Sequence, residues 1–275
     1  MPVRSLSPTE ARVVLGLEAE GGAELTLQDL RRRARISPGF ARKLAVGLVR
    51  KGWLQRTGRG RYLLNPGRHG PEAIPDADPL RFGSRLVAPY YFGFATAAEL
   101  QGLLPQAGRV YYLATPERRK VPSSPTAEFR AIRVPRSRFF GYRRLRRRGE
   151  ELVVSDLERT LLDCLARPEL AGGLGGVVQI LDSAAGRIDW ATLGRYLHRL
   201  HRRSLELRLG YLVETAVPRL KPPRRWLGEL RARVGEPYVP LGSPREFGRR
   251  GPHDRRWHLI LNVPAPILTA EVDLR

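Results

Sequence analysis

Three helix starts fall within the first forty residues, and only three residues separate the second helix from the third. Ser7-Pro8-Thr9-Glu10 is a capping box with proline at the first helical position, where its missing N–H costs nothing. Thr26-Leu27-Gln28-Asp29 repeats the side-chain logic with a carboxylate in the first turn, and Ser37-Pro38 repeats the cap-plus-proline start. Helices are therefore predicted from about residues 8, 27 and 38, the first running to about Glu20 and the second ending by Ala34. Arg35-Ile36-Ser37 between the last two has the length of a helix-turn-helix turn.

On the third helix, Phe40, Leu44 and Leu48 fall on one stripe flanked by Ala41 and Ala45, which predicts the core-facing side. Gly39, Arg42, Lys43, Val46 and Arg50 gather opposite. After it come Trp53-Leu54-Gln55-Arg56, the glycine turn Thr57-Gly58-Arg59-Gly60 and Arg61-Tyr62-Leu63-Leu64, read as two short strands with arginines at the tip. Capped starts, tight turn, one-sided charge and cationic hairpin agree on a winged helix-turn-helix over residues 1–70. On this reading the DNA contacts are Ser37, Arg42, Lys43, Val46 and Arg50 on the helix, and Arg59 and Arg61 on the wing. Arginine or lysine donates to guanine O6/N7, Val46 meets a thymine methyl, and the wing arginines meet phosphate or the minor groove. The alternative is a small α+β domain whose arginines are a solvated face.

The charge distribution points the same way. Residues 1–70 carry 14 basic and 5 acidic residues and residues 118–148 carry 12 and 1, so these two stretches supply +20 of the net +22. A polyanion, or an acidic macromolecule, is the partner such a chain suits. Pro/Gly-rich residues 65–79 mark a boundary, giving a DNA-binding domain over 1–70, a linker over 71–80 and a larger mixed α+β domain over 81–275.

In that larger part, Thr96–Leu104 has helical spacing, and 110–114, 129–134 and 139–142 read as strands. The run Arg143, Arg144, Arg146, Arg147 and Arg148 is expected as a solvated loop or strand edge, with an accessory nucleic-acid or partner contact as the other reading. Ser155-Asp156-Leu157-Glu158 reads as a capping box opening a helix to Ala166, whose buried stripe includes Cys164. Gly172 to Gly176 lacks the frame of a phosphate cradle and is read as a loop leading into a helix at Val177.

A single cysteine leaves no intrachain disulfide and no Cys-rich metal site. His198 and His201 have no acidic ligand beside them in sequence, so no metal and no cofactor is expected. Without a clustered acidic motif, catalysis finds no foothold and the chain is expected not to be an enzyme. No apolar run reaches the roughly 18–20 residues of a membrane helix and no apolar signal core follows Met1, so a cytoplasmic protein without membrane association is expected.

The winged helix ending Gly52-Trp53-Leu54 and Gly60-Arg61-Tyr62, then Thr96-Ala97-Ala98-Glu99-Leu100-Gln101-Gly102-Leu103, then Ser155 through Leu165 resemble AbiEi-type antitoxins. So do Gly172-Gly173, Arg208-Leu209-Gly210-Tyr211-Leu212-Val213-Glu214, Arg256-Trp257 and Asn262. The chain departs from that pattern at Gln101, where histidine is usual. The resemblance implies an antitoxin and transcriptional autorepressor of a bacterial abortive-infection operon. It implies a winged helix bound to inverted repeats of the chain's own promoter, as a monomer in solution or a dimer on DNA. It also implies a C-terminal domain that counters a nucleotidyltransferase-like toxin. The competing reading is a ligand-responsive winged-helix regulator without a toxin partner.

Overall fold

The computed structural model describes residues 4–20, 24–67, 70, 78–105, 108–123, 127–147 and 150–269. In chain order the elements are α1 (Pro8–Ala19), β1 (Glu24–Thr26), α2 (Leu27–Ala34), α3 (Pro38–Arg50), β2 (Leu54–Gly58), β3 (Arg61–Leu64), α4 (Pro79–Ser84), β4 (Tyr91–Phe92) and α5 (Phe94–Leu100). Strands β5 (Val110–Thr115), β6 (Glu128–Arg133), β7 (Tyr142–Arg147) and β8 (Glu150–Ser155) follow, then α6 (Leu157–Ala166), α7 (Gly173–Ser183), α8 (Trp190–Leu200) and α9 (Arg203–Tyr211). The rest is α10 (Arg224–Arg231), β9 (Val239–Pro240), α11 (Pro244–Phe247), β10 (His253–Asp254), β11 (Leu259–Ile260) and α12 (Ala265–Thr269). The fold is mixed α+β, as expected.

The chain divides into two compact units. One takes Met1–Tyr90, Arg109–Arg133 and Arg147–Leu152, and the other takes Tyr91–Gly108, Val134–Arg146 and Val153–Arg275. The first thus continues past residue 70, while most of the linker expected at 71–80 lies outside the described residues.

In the first unit, α1 to α3 start where their caps predict. Ser7 and Glu10 close a reciprocal capping box, and so do Thr26 and Asp29. Arg35 turns the chain between α2 and α3 in the left-handed region, φ 53°. The hairpin β2–β3 forms around Gly60, whose φ of +69° suits glycine. Strand β1 adds to the other side of β3, giving the order β1-β3-β2. Val13, Leu17, Leu30, Leu44, Leu48, Leu54 and Leu64 bury together, each such side chain contributing about 1.5–3 kcal/mol. Strands β5 and β6 pair in parallel, Val110 opposite Glu128 through Thr115 opposite Arg133.

One position of the expected α3 stripe is corrected. Ala41, Leu44, Ala45 and Leu48 are buried, but Phe40 is 52% exposed. The buried arc is centred between Leu48 and Ala41, and Phe40 lies about 90° away from that centre at about 100° per residue.

The second unit packs α5 to α10 around Leu161, Leu165, Leu181, Leu197, Leu209 and Trp257. Strands β4, β8 and β7 lie side by side in that order, β4 parallel to β8 with Phe92 opposite Val154. A small sheet of β10, β11 and β9 follows.

Four expectations are corrected here. The helix expected over 96–104 is α5, Phe94–Leu100, because the chain turns at Gly102, φ +70°. Of the strand expected over 139–142 only Tyr142 is in one, as the first residue of β7; Phe139 to Gly141 connect it to a 3₁₀ turn at Arg136–Arg138. Asp156, not Ser155, caps α6 through the Arg159 amide, while Ser155 stays in β8 with its hydroxyl 2.7 Å from the Thr160 hydroxyl. The glycine run is the first turn of α7 rather than a loop, starting at Gly173. A side chain on Gly176 would strike the Ala171 carbonyl at 2.0 Å, so glycine permits the helix to begin there.

Candidate nucleic-acid interface

The α3 face opposite the core presents Arg42, Lys43, Val46 and Arg50 to solvent. Ser37 fixes where that face begins, because its hydroxyl oxygen accepts the Phe40 amide at 3.3 Å. The cations near the face separate into two sets. Lys51 is held by Glu10 at 2.6 Å, Arg33 by Glu20 at 2.6 Å and Arg32 by Asp29. Arg42, Lys43, Arg50 and Arg59 make no ion pair among the described residues. Arg61 sits between the sets, 3.6 Å from Glu24 on β1 with both side chains well exposed. Arg59 stands exposed at the β2–β3 turn.

The paired carboxylates bear on stability. Burial works against the Glu10 charge, but hydrogen bonds from Lys51 and from the Ser7 amide and hydroxyl outweigh it and lower its pKa. The Thr26 hydroxyl and amide, then Arg32, lower that of Asp29.

The second unit holds a buried polar network. Asp163 receives the Arg159 Nε at 2.9 Å and the Tyr91 hydroxyl at 3.0 Å, with Arg159 only 2% exposed. Arg159 also donates to the Arg138 carbonyl at 2.7 Å and lies over the Phe140 ring at 4.8 Å. Burial pushes the Asp163 carboxyl up against the pull of Arg159, and pushes the Tyr91 hydroxyl and Cys164 thiol well up. Gln101 donates to the Ser155 carbonyl at 3.1 Å and to the Thr160 hydroxyl at 2.8 Å, tying α5 to the start of α6. Asp156 accepts the Tyr196 hydroxyl at 2.7 Å, which raises the Tyr196 pKa to about 12 through burial and that bond.

The Arg208-to-Glu214 segment is architectural as well. Arg208 Nε donates to the Pro240 carbonyl at 3.0 Å, and Glu214 accepts the Trp257 indole N–H at 2.8 Å. Asn262 brackets a turn, accepting from the Gly242 amide at 2.8 Å and donating to the Gly248 carbonyl at 2.8 Å.

Residues 91–215 match the family model described as the AbiEi antitoxin C-terminal domain. The resemblance read from the motifs is borne out over that span, while Trp257, Asn262 and the first seventy residues lie beyond it. The AbiEi-type segment contains the Tyr91–Arg159–Asp163 network, Gln101 and the Arg208-to-Glu214 segment. No curated protein matches the chain. Among solved structures, the crystal structure of RV2827C protein from Mycobacterium tuberculosis is 21% identical with a TM-score of 0.67, covering 99% of this chain and 97% of that one. At that identity the likeness is one of fold.

The basic run lies in the AbiEi-type segment. Arg143, Arg144, Arg146 and Arg147 form β7, with Arg143, Arg144 and Arg146 exposed and Arg147 half-buried, while Arg148 lies outside the described residues. β7 is the outer strand beside β8 among the described strands. His198 and His201 are exposed, and among the described residues no three histidine, cysteine or carboxylate side chains gather as for a metal. No helix among the described residues is long and apolar enough to cross a membrane.

Proposed function

We propose that the chain is the antitoxin of a toxin–antitoxin pair and represses its own operon. Residues 1–70 act as a winged helix-turn-helix on inverted repeats of the promoter, and the part from about residue 81 counters a nucleotidyltransferase-like toxin in the cytoplasm. The AbiEi antitoxin C-terminal match carries the antitoxin half of this reading. The DNA-binding half is supported by α3 following a tight turn from α2, by the cationic hairpin, and by exposed Arg42, Lys43, Arg50 and Arg59 without internal counterions. Chemistry is left to the toxin on this reading: the Tyr91 hydroxyl and the Cys164 thiol, both pushed well up by burial, lie in the core rather than at a surface cleft.

Two measurements on one pair of strains test both halves. The full chain is expected to rescue cells expressing the toxin encoded beside it and to shift a duplex of its own promoter. An Arg42→Ala/Lys43→Ala variant is expected to keep rescue and lose the shift. Loss of rescue with the shift intact would refute the division of labour.

A further inference from the structure

Five large apolar side chains stand exposed among the described residues, and three of them, Phe40 (52%), Val46 (67%) and Val49 (37%), belong to α3. Single exposed apolar residues need no explanation, but apolar residues that border one exposed face mark a contact surface. Phe40 and Val46 border the cationic face of α3, whereas Val49 lies about 180° around the helix from Phe40. Phe40 and Val46 stand on either side of Lys43 around the helix. They lie about 9 Å apart along its axis, which is roughly two to three base steps of a duplex at about 3.4 Å each. Phe40 is also the third residue of α3, in the N-terminal turn from which a recognition helix reaches base edges.

Resting on the promoter-binding reading above, we infer that Phe40 and Val46 are specificity-determining residues that pack on thymine C5 methyl groups, with Lys43 donating to a base edge between them. The flanking cations decide the occupant. A second copy of this chain would bring Arg42, Lys43 and Arg50 against their own kind without counterions, whereas a duplex supplies phosphates around an apolar methyl. The thymine methyl is the apolar group that the major groove offers.

The experiment uses the full chain and two versions of its promoter duplex, one with thymine and one with uracil, which differ only in the methyl. Wild type is expected to bind the uracil duplex about fourfold more weakly for each contacted methyl. Val46→Ser and Phe40→Ser are expected to bind the thymine duplex more weakly and to lose much of their sensitivity to the exchange. Both positions are exposed, so unchanged circular dichroism and melting temperature accompany that result. Equal wild-type affinity for the two duplexes overturns the inference. Full uracil sensitivity in both serine variants overturns it too, since the methyl then acts through duplex shape. So does a dimer that Phe40→Ser converts to monomer with uracil sensitivity unchanged. If wild type binds neither duplex at low salt, the promoter-binding reading itself falls, a result separate from the other three.

Discussion

The Trp257 ring occupies the space that a side chain on Gly210 would need: a Cβ there would lie 2.1 Å from the ring, and the indole N–H is donated to Glu214 one turn further on. Gly210→Ala is therefore expected to destabilise the second unit by about 1–3 kcal/mol through overpacking. Trp257→Ala is expected to cost about 3–5 kcal/mol through the cavity. Denaturant unfolding of the full chain checks both, and an alanine at 210 that leaves the midpoint unchanged would contradict the packing described.

Asp163→Asn is expected to cost about 3–5 kcal/mol, because it leaves the Arg159 guanidinium buried without a counterion. The double replacement Arg159→Met/Asp163→Leu removes both charges and is expected to cost less than that single change. A double-mutant cycle read by thermal unfolding gives the coupling.

Glu10 and Asp29 have lowered pKa values in the folded chain. Their contribution to stability is present above the usual carboxylate range, about pH 4, and is lost as pH falls through the folded values. The melting temperature of the first unit is expected to drop between about pH 5 and pH 2. Glu10→Gln is expected to lower it at pH 7 and to flatten its fall, and parallel pH dependence in variant and wild type would remove Glu10 from the explanation.

Arg42→Ala is expected to cost about 1–3 kcal/mol on the promoter and little on unrelated sequence, whereas Arg59→Ala weakens all duplexes alike. Arg61→Ala is expected to cost less than Arg59→Ala, since Glu24 lies within 3.6 Å of the Arg61 guanidinium. Salt titrations separate these roles, each phosphate contact contributing about 0.9 to the log–log slope.

Replacing Arg143, Arg144, Arg146, Arg147 and Arg148 by glutamine separates the readings of this run: as a solvated strand edge it leaves fold, toxin rescue and promoter binding intact, whereas loss of rescue with promoter binding retained would make it a partner contact. Weaker promoter binding with rescue intact would instead assign the run to DNA.

The sequence was most legible where local chemistry decides. The starts of α1, α2 and α3 rest on Ser7, Thr26 and Ser37, whose side chains satisfy amides a few residues away, and such signals are written in consecutive letters. Phe40 differs from its expected place because helical spacing allows a flanking residue on either side of the boundary, and only the packed position of α3 resolves it. Ser155 and Asp156 are both good caps. The choice between them was made by Thr160 and Tyr196, the second forty residues away in sequence. The start of α7 needed the Ala171 carbonyl, and three-residue β1 needed β3 as its partner. The site positions on α3 followed from the wheel, but which cations lack internal partners did not, because Glu10, Glu20 and Glu24 reach theirs through the fold.

Arg4 closes the first seventy residues on themselves. Its guanidinium donates to the carbonyls of Asn65, Pro66 and Gly70 while lying 3.7 Å above the Trp53 ring. That clasp ties the two ends of the segment together without drawing on the exposed face of α3. Positions 40, 42, 43 and 46 lie outside both that clasp and the buried cluster, so changes there are expected to cost little stability. A lineage could then retune what this helix reads while the scaffold that holds it stays unchanged.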